Sequence, residues 1–170
     1  ATLCTYNHYF SLMFAGIVGL TGLLFLNKNN AKIYILSLVA VIILFLPHIN
    51  IFLFQFSGKG LEWLGVPSKS FIIDHIRFIF HFSPWVYLVV ISALTFGIYQ
   101  QKSIKLSKFQ IISLVWFLLP IIIGVAYSIL VKPVVQYSML IFSFPFLLIF
   151  LFSFLKPLNN TWKTLILLLI

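Results

Sequence analysis

Apolar residues do not alternate with polar ones along this chain; they run in long blocks separated by short polar connectors. A bilayer core about 30 Å thick needs about 20 mostly apolar residues per helix. That length marks five spans: Tyr9 to Leu26, Ile33 to Phe54, Pro84 to Tyr99, Phe109 to Val131 and Ser138 to Leu155. A sixth run, Thr164 to Ile170, stops before it crosses and reads as a truncated span. The connectors are NKNNAK at 27–32, SGKGLEWLGVPSKS at 57–70, QQKSIKLSK at 100–108, KPVVQY at 132–137 and KPLNNTWK at 156–163. The expected fold is all-α: a polytopic transmembrane helix bundle forming a single domain over residues 1–170, read as a piece of a longer chain.

The segment FIIDHIRFIFHF, residues 71–82, departs from this pattern. On a helix, Asp74, Arg77 and His81 fall at i, i+3 and i+7 on one face, with Phe71, Ile72, Ile76, Ile79 and Phe80 over much of the rest. Too short to cross alone, it is expected to lie as an amphipathic helix in the outer interface and to lead through Ser83-Pro84 into the next span. Trp63, Trp85 and Trp162 sit near expected boundaries, where indole is favoured. Pro120 and Pro145 predict kinks inside spans, because each removes a backbone donor. Ala15 and Gly19, with Gly16 and Gly22, predict close packing of the first span against another helix.

Composition agrees with the pattern: 62% of residues are hydrophobic, 8% are charged, and mean hydropathy is +1.16. A soluble fold this size would have to cover its surface with Phe, Leu and Ile, which invites aggregation. The net charge of +9 would suggest a nucleic-acid partner in a soluble protein, but counting by connector gives another reading. Lys28, Lys32, Lys102, Lys105, Lys108, Lys156 and Lys163 lie on alternate connectors with no acid among them. The positive-inside rule makes loops 27–32, 100–108 and 156–163 cytoplasmic. Lys59, Lys69, Arg77 and Lys132, with both acids, Glu62 and Asp74, fall on the other side. Orientation thus accounts for most of the charge, and no nucleic acid is implied. Asn159-Asn160-Thr161 matches a glycosylation acceptor but falls on the cytoplasmic side. The lone Cys4 makes no internal disulfide, and no Cys/His spacing suits zinc.

Candidate chemistry gathers on the outer side in four clusters: Tyr6, Asn7, His8 and Tyr9; His48 with Gln55; Lys59, Glu62 and Lys69 followed by Asp74, Arg77 and His81; and Lys132, Gln136, Tyr137 and Ser138. Polar groups at a membrane face are costly unless paired or hydrated, so together they are expected to line one cavity. Each has a plainer role too: interfacial histidines act as hydrogen-bonded anchors, and lone lysines snorkel to headgroups. Glu62 and Asp74 are the only carboxylates for general-base work or for holding a divalent cation, and either can instead pair with Lys59 or Arg77. No residue set is assigned as a metal site.

The runs YNHYFSLMFAGIVGL, LPHINIFLFQFSGKGLEWLG, FIIDHIRFIFHFS and KPVVQYSMLIFSFPFLLIF resemble, in this order, membrane glycosyltransferases of family 39 and its relatives in the GT-C superfamily. The likeness is to bacterial members described as dolichyl-phosphate-mannose-protein-mannosyltransferase-like, and it covers most of the chain. The first run is similar to their Y-T-H-Y element, with Asn7 in place of Thr; the second matches an LPH exit followed by Gln55, Gly60 and Trp63. The resemblance implies transfer of a sugar from a polyprenyl-phosphate donor to a glycan, lipid or protein acceptor outside the bacterial inner membrane. In that family the catalytic carboxylate lies in the first outer loop, which is expected upstream of this chain. His8, Tyr9, His48, Gln55, Lys59, Lys132, Gln136 and Tyr137 are the expected donor or acceptor contacts. One departure stands out: aligned on Pro133 and Pro145, the family's Arg-Tyr pair falls on Ser138 and Met139, and serine does not supply a bidentate cation. The competing class is a transport-type bundle, such as a lipid-linked glycan flippase, polymerase or transporter subunit. It predicts mid-membrane charge and often an internal repeat, whereas these spans carry Ser113, Ser128 and Ser143 but no mid-span charge, and show no repeat.

Overall fold

The computed structural model describes residue 6 and residues 9–56, 64–100 and 105–155, with the side chains of Tyr9, Gln55 and Phe56 outside the description. Helices follow one another as α1 (Tyr9–Gly22), α2 (Ala31–Phe45), α3 (Ile49–Phe56), α4 (Phe71–Ile79), α5 (Pro84–Gln100), α6 (Lys108–Leu130) and α7 (Phe144–Phe152). Short 3-10 segments at Leu23–Phe25, Leu46–His48 and Ser138–Ser143 extend or join them, and no strand occurs among the described residues. All-helical architecture is therefore observed.

Among the described residues two stretches are long and apolar enough to cross a membrane: Ala31–Phe54, which runs through α2 and into α3, and Lys108–Leu130. They match the expected second and fourth spans to within two residues at each end. A third crossing arises only if α4 and α5, bent by 90°, count as one, and Phe10–Phe25 and Ser138–Phe152 are shorter. The expectation of five full-length spans is thus met by two. The physical reason is local: α1 has 14 residues and α5 has 17, and the last expected span is divided between a 3-10 segment and the nine residues of α7. At 1.5 Å per residue, α1 is only about 21 Å long. Residues 156–170, which hold the last connector and the truncated sixth span, lie outside the described residues.

Local chemistry explains the ends. Between α1 and α2, the Asn27 side chain accepts from the backbone N–H of Asn29 and Asn30, both at 3.0 Å, and Asn30 Oδ1 accepts from Asn27 N–H at 2.8 Å. At the start of α6, Ser107 and Gln110 form a capping box, with Ser107 Oγ accepting from Gln110 N–H and Gln110 Oε1 from Ser107 N–H. Pro145 stands in the first turn of α7, where a missing N–H costs little, so it starts a helix rather than kinking one; Pro120 does lie inside α6.

The core is a seam of α1, α4 and α6 with the segment 134–140: Phe10, Phe71, Ile79, Phe80, Phe117, Ile121, Val134, Val135 and Leu140. Within a bilayer such a seam is held by close van der Waals packing rather than by release from water. Two glycines set helix separations. A Cβ on Gly97 of α5 would lie 2.9 Å from the Phe154 backbone, and one on Gly124 of α6 would lie 3.0 Å from the Phe10 ring. The expected close packing of α1 is seen at Gly22, under the Tyr34 ring, while Gly16 faces open space. By contrast α2 buries no residue, leaving an apolar surface that suits hydrocarbon and is costly in water.

Candidate functional site

Contacts between elements distant in the sequence define two ends of the bundle. At one end Phe25 stacks on Phe109 at 5.8 Å, and Gln110 Nε2 donates to Ser153 Oγ at 2.9 Å. At the other end, the Tyr6 ring lies 4.7 Å from His48, and Phe71 lies 4.7 Å from Tyr137. The second end gathers residues of all four candidate clusters, joined in pairs: Tyr6 with His48, and α4 with the 132–138 loop.

The loop is held from beneath. Ser128, near the end of α6 and 1% exposed, accepts from Val134 N–H at 3.2 Å and Val135 N–H at 2.9 Å. Its hydroxyl thereby fixes the backbone immediately before Gln136 and Tyr137. The Tyr137 ring packs against Phe71, His75 and Phe78 of α4, at 4.7, 6.0 and 5.5 Å. Phe71, Phe78, Val135, Gln136, Tyr137 and Ser138 line an open cleft of about 350 Å³. Its lining is mainly apolar, with three aromatic rings, and Gln136 and Ser138 supply its polar side chains, Ser138 being exposed.

α4 is the amphipathic helix the sequence predicts, but shorter. Phe71, His75 and Ile79 turn inward, while Ile72, Ile73, Ile76 and Arg77 are exposed. Asp74 accepts from Ser70 Oγ at 2.6 Å and pairs with Arg77 at 3.3 Å, as their spacing predicts. His81 does not join that face. The helix ends at Ile79, and His81 and Phe82 both have φ of 54°. His81 N–H donates to Phe78 C=O at 3.0 Å and Phe82 N–H to Arg77 C=O at 2.8 Å, a Schellman termination. These bonds satisfy the last carbonyls while the chain makes its 90° turn into α5.

His75 is the residue that sequence reasoning missed. It is fully buried, and neither ring nitrogen has a hydrogen-bond partner. Burial holds its imidazole below the ordinary histidine range. The available signal was the i, i+4, i+8 stripe Phe71–His75–Ile79, which places the histidine on the apolar face. Tyr137 is pushed the other way, its phenol raised by burial and then by the Asp74 charge.

Of the remaining expected contacts, Lys132 is partly exposed at the start of the loop, and His48 packs against Tyr6 and Phe45. Tyr6 also donates its hydroxyl to the Leu44 carbonyl, tying the entrance of α1 to α2. The backbone stays helical past Pro47, as a shared face for His48 and Gln55 requires. His8, Lys59 and Glu62, and the side chains of Tyr9 and Gln55, lie outside the described residues. Among the described residues no three His, Cys, Asp or Glu side chains are grouped to hold a metal ion. Ser113 and Ser143 hydroxyls donate to Gln110 and Leu140 carbonyls within their own helical turns. Comparison with protein-family models, curated proteins and solved structures gives no match, so the site is read from its own geometry.

Proposed function

We propose that this chain is part of a membrane glycosyltransferase of the GT-C type, which takes a sugar from a polyprenyl-phosphate donor at the outer face of a bacterial inner membrane. In this reading the chain crosses five times, with the shorter apolar helices accommodated by local thinning of the bilayer and snorkelling of flanking side chains, and loops 27–32, 100–108 and 156–163 are cytoplasmic. The observation that carries the proposal is the cleft between α4 and the 132–138 loop. It combines aromatic rings with the polar side chains of Gln136 and Ser138, and it adjoins a helix whose Ile72, Ile73 and Ile76 are exposed. A lipid-linked sugar needs that combination: hydrocarbon beside the site for the tail and hydrogen-bonding groups at the rim for the head.

In the transfer, the bond from the anomeric carbon to the phosphate oxygen breaks as a bond to an acceptor hydroxyl oxygen forms. The acceptor's proton goes to a general base, and polyprenyl phosphate leaves with a second negative charge. Cations at the rim stabilise that developing charge more than the starting diester, which is the condition for lowering the barrier. Lys132 and Lys59 take this role, and His8 and His48 orient sugar hydroxyls. Asp74, already engaged by Ser70 and Arg77, is assigned to holding α4 rather than to proton transfer. Lys132→Ala and His8→Ala in the full-length protein should each lower sugar transfer at normal expression. Unchanged transfer in both variants would refute these roles, and vectorial solute uptake without transfer would favour the transport class.

A further inference from the structure

We propose that His75 is a positioning residue whose neutral imidazole holds α4 against the 132–138 loop, and that its protonation loosens this contact and opens the cleft as the medium acidifies. This stands apart from the transferase reading, because what it predicts is the docking of α4 and not sugar transfer.

Geometry makes the case. The imidazole is fully buried, lies parallel to the Phe71 ring at 6.3 Å, and sits 6.0 Å from Tyr137. Its two nitrogens lack hydrogen-bond partners. A neutral ring tolerates such a place at the cost of one orphan donor and one orphan acceptor. An imidazolium there would be a buried cation with two orphan donors, far more costly. The titratable and charged groups on the surrounding elements do not relieve that charge. Asp74, the adjacent residue, directs its oxygens to Ser70 and Arg77. Arg77 and Lys132 are themselves cationic, and His81 brings no negative charge. Tyr137, Tyr127 at the end of α6 and Tyr87 of α5 do not hydrogen-bond to the ring.

The sign follows from linkage. Docking lowers the histidine's pKa, so docking is fully favoured above the ordinary value of about 6.5 and weakens as pH falls through that value. The docking constant falls about tenfold for each unit between the ordinary and docked values. It levels off once the pH is below both. The relay to the cleft is short, because Tyr137 packs on His75 and also lines the cleft.

The test is amide hydrogen exchange of the full chain in lipid nanodiscs between pH 7.5 and 5.0, corrected for intrinsic rates. Protection of residues 71–79 and 132–138 should fall several-fold in the wild type and stay level in His75→Phe, which keeps an aromatic ring and removes the titration. A pH-independent wild type, or an equal fall in His75→Phe, would overturn the proposal. If His75→Phe does not fold, the variant His8→Gln/His48→Gln/His81→Gln leaves His75 as the only histidine. Its imidazole resonance must then titrate below 6.5 together with the loss of protection, and titration at or above 6.5 would overturn the proposal.

Discussion

Removing the Ser128 hydroxyl is the sharpest perturbation of the loop that carries Gln136 and Tyr137. Ser128→Ala deletes one oxygen at a position 1% exposed and takes away the acceptor of two backbone bonds, at 2.9 Å from Val135 and 3.2 Å from Val134. The shorter bond dominates. A buried N–H deprived of its acceptor costs about 1–3 kcal/mol, whereas side-chain hydrogen bonds within membranes average only about 0.6 kcal/mol. Val135 itself is buried, beside the tightly packed Gly124, with little room for water to replace the hydroxyl. The expected destabilisation is therefore about 2 kcal/mol, near the middle of the unsatisfied-donor range. Unfolding in mixed micelles, followed by circular dichroism against SDS mole fraction, measures it. Ser138→Ala, at an exposed position on the same loop, is the control and should stay within about 0.5 kcal/mol of wild type. The loop of Ser128→Ala should also exchange faster over residues 134–138 while α2 is unchanged. A Ser128→Ala protein as stable as the Ser138→Ala control would refute the claim that this hydroxyl holds the site.

Two further substitutions test the packing and the turn. Gly97→Ala places a methyl group 2.9 Å from the Phe154 backbone, which cannot swing aside, so it should destabilise by about 1–3 kcal/mol in the same titration; Gly16→Ala, facing open space, should not destabilise. His81→Gly relieves a left-handed residue at the end of α4 and should stabilise by about 1 kcal/mol after the greater freedom of glycine in the unfolded chain is counted. A loss of stability in His81→Gly would mean that the imidazole contributes more than its backbone costs.

The helices were legible because hydrophobic blocks of this length have few alternatives. Ile33 to Phe54 and Phe109 to Val131 correspond to Ala31–Phe54 and Lys108–Leu130. Hydropathy reports what a segment is made of and not which helix it forms, so the 3-10 stretch at Ser138–Ser143 and the early end of α4 at Ile79 were not visible. Both are set by backbone turns that carry no compositional mark. The grouping of α4 with Gln136 and Tyr137 at one end of the bundle was readable from alternating connectors. Ser128 was read only as a mid-span serine, because its partners lie across a turn six and seven residues on. His75 was hidden by its neighbours: the charges of Asp74 and Arg77 define the face a reader notices, while the histidine lies on the face that disappears into the core.

On the proposed function, the cleft between α4 and the 132–138 loop receives a polyprenyl-phosphate-linked sugar. Photo-crosslinking in native membranes with a diazirine-bearing polyprenyl phosphate, followed by peptide mapping, tests it most directly. Adducts are expected on residues 71–80 and 132–138, competed by unlabelled polyprenyl phosphate and reduced in Lys132→Ala. Adducts that resist competition, or competed adducts confined to the opposite end near Asn27 to Lys32 and Lys105 to Lys108, would contradict it.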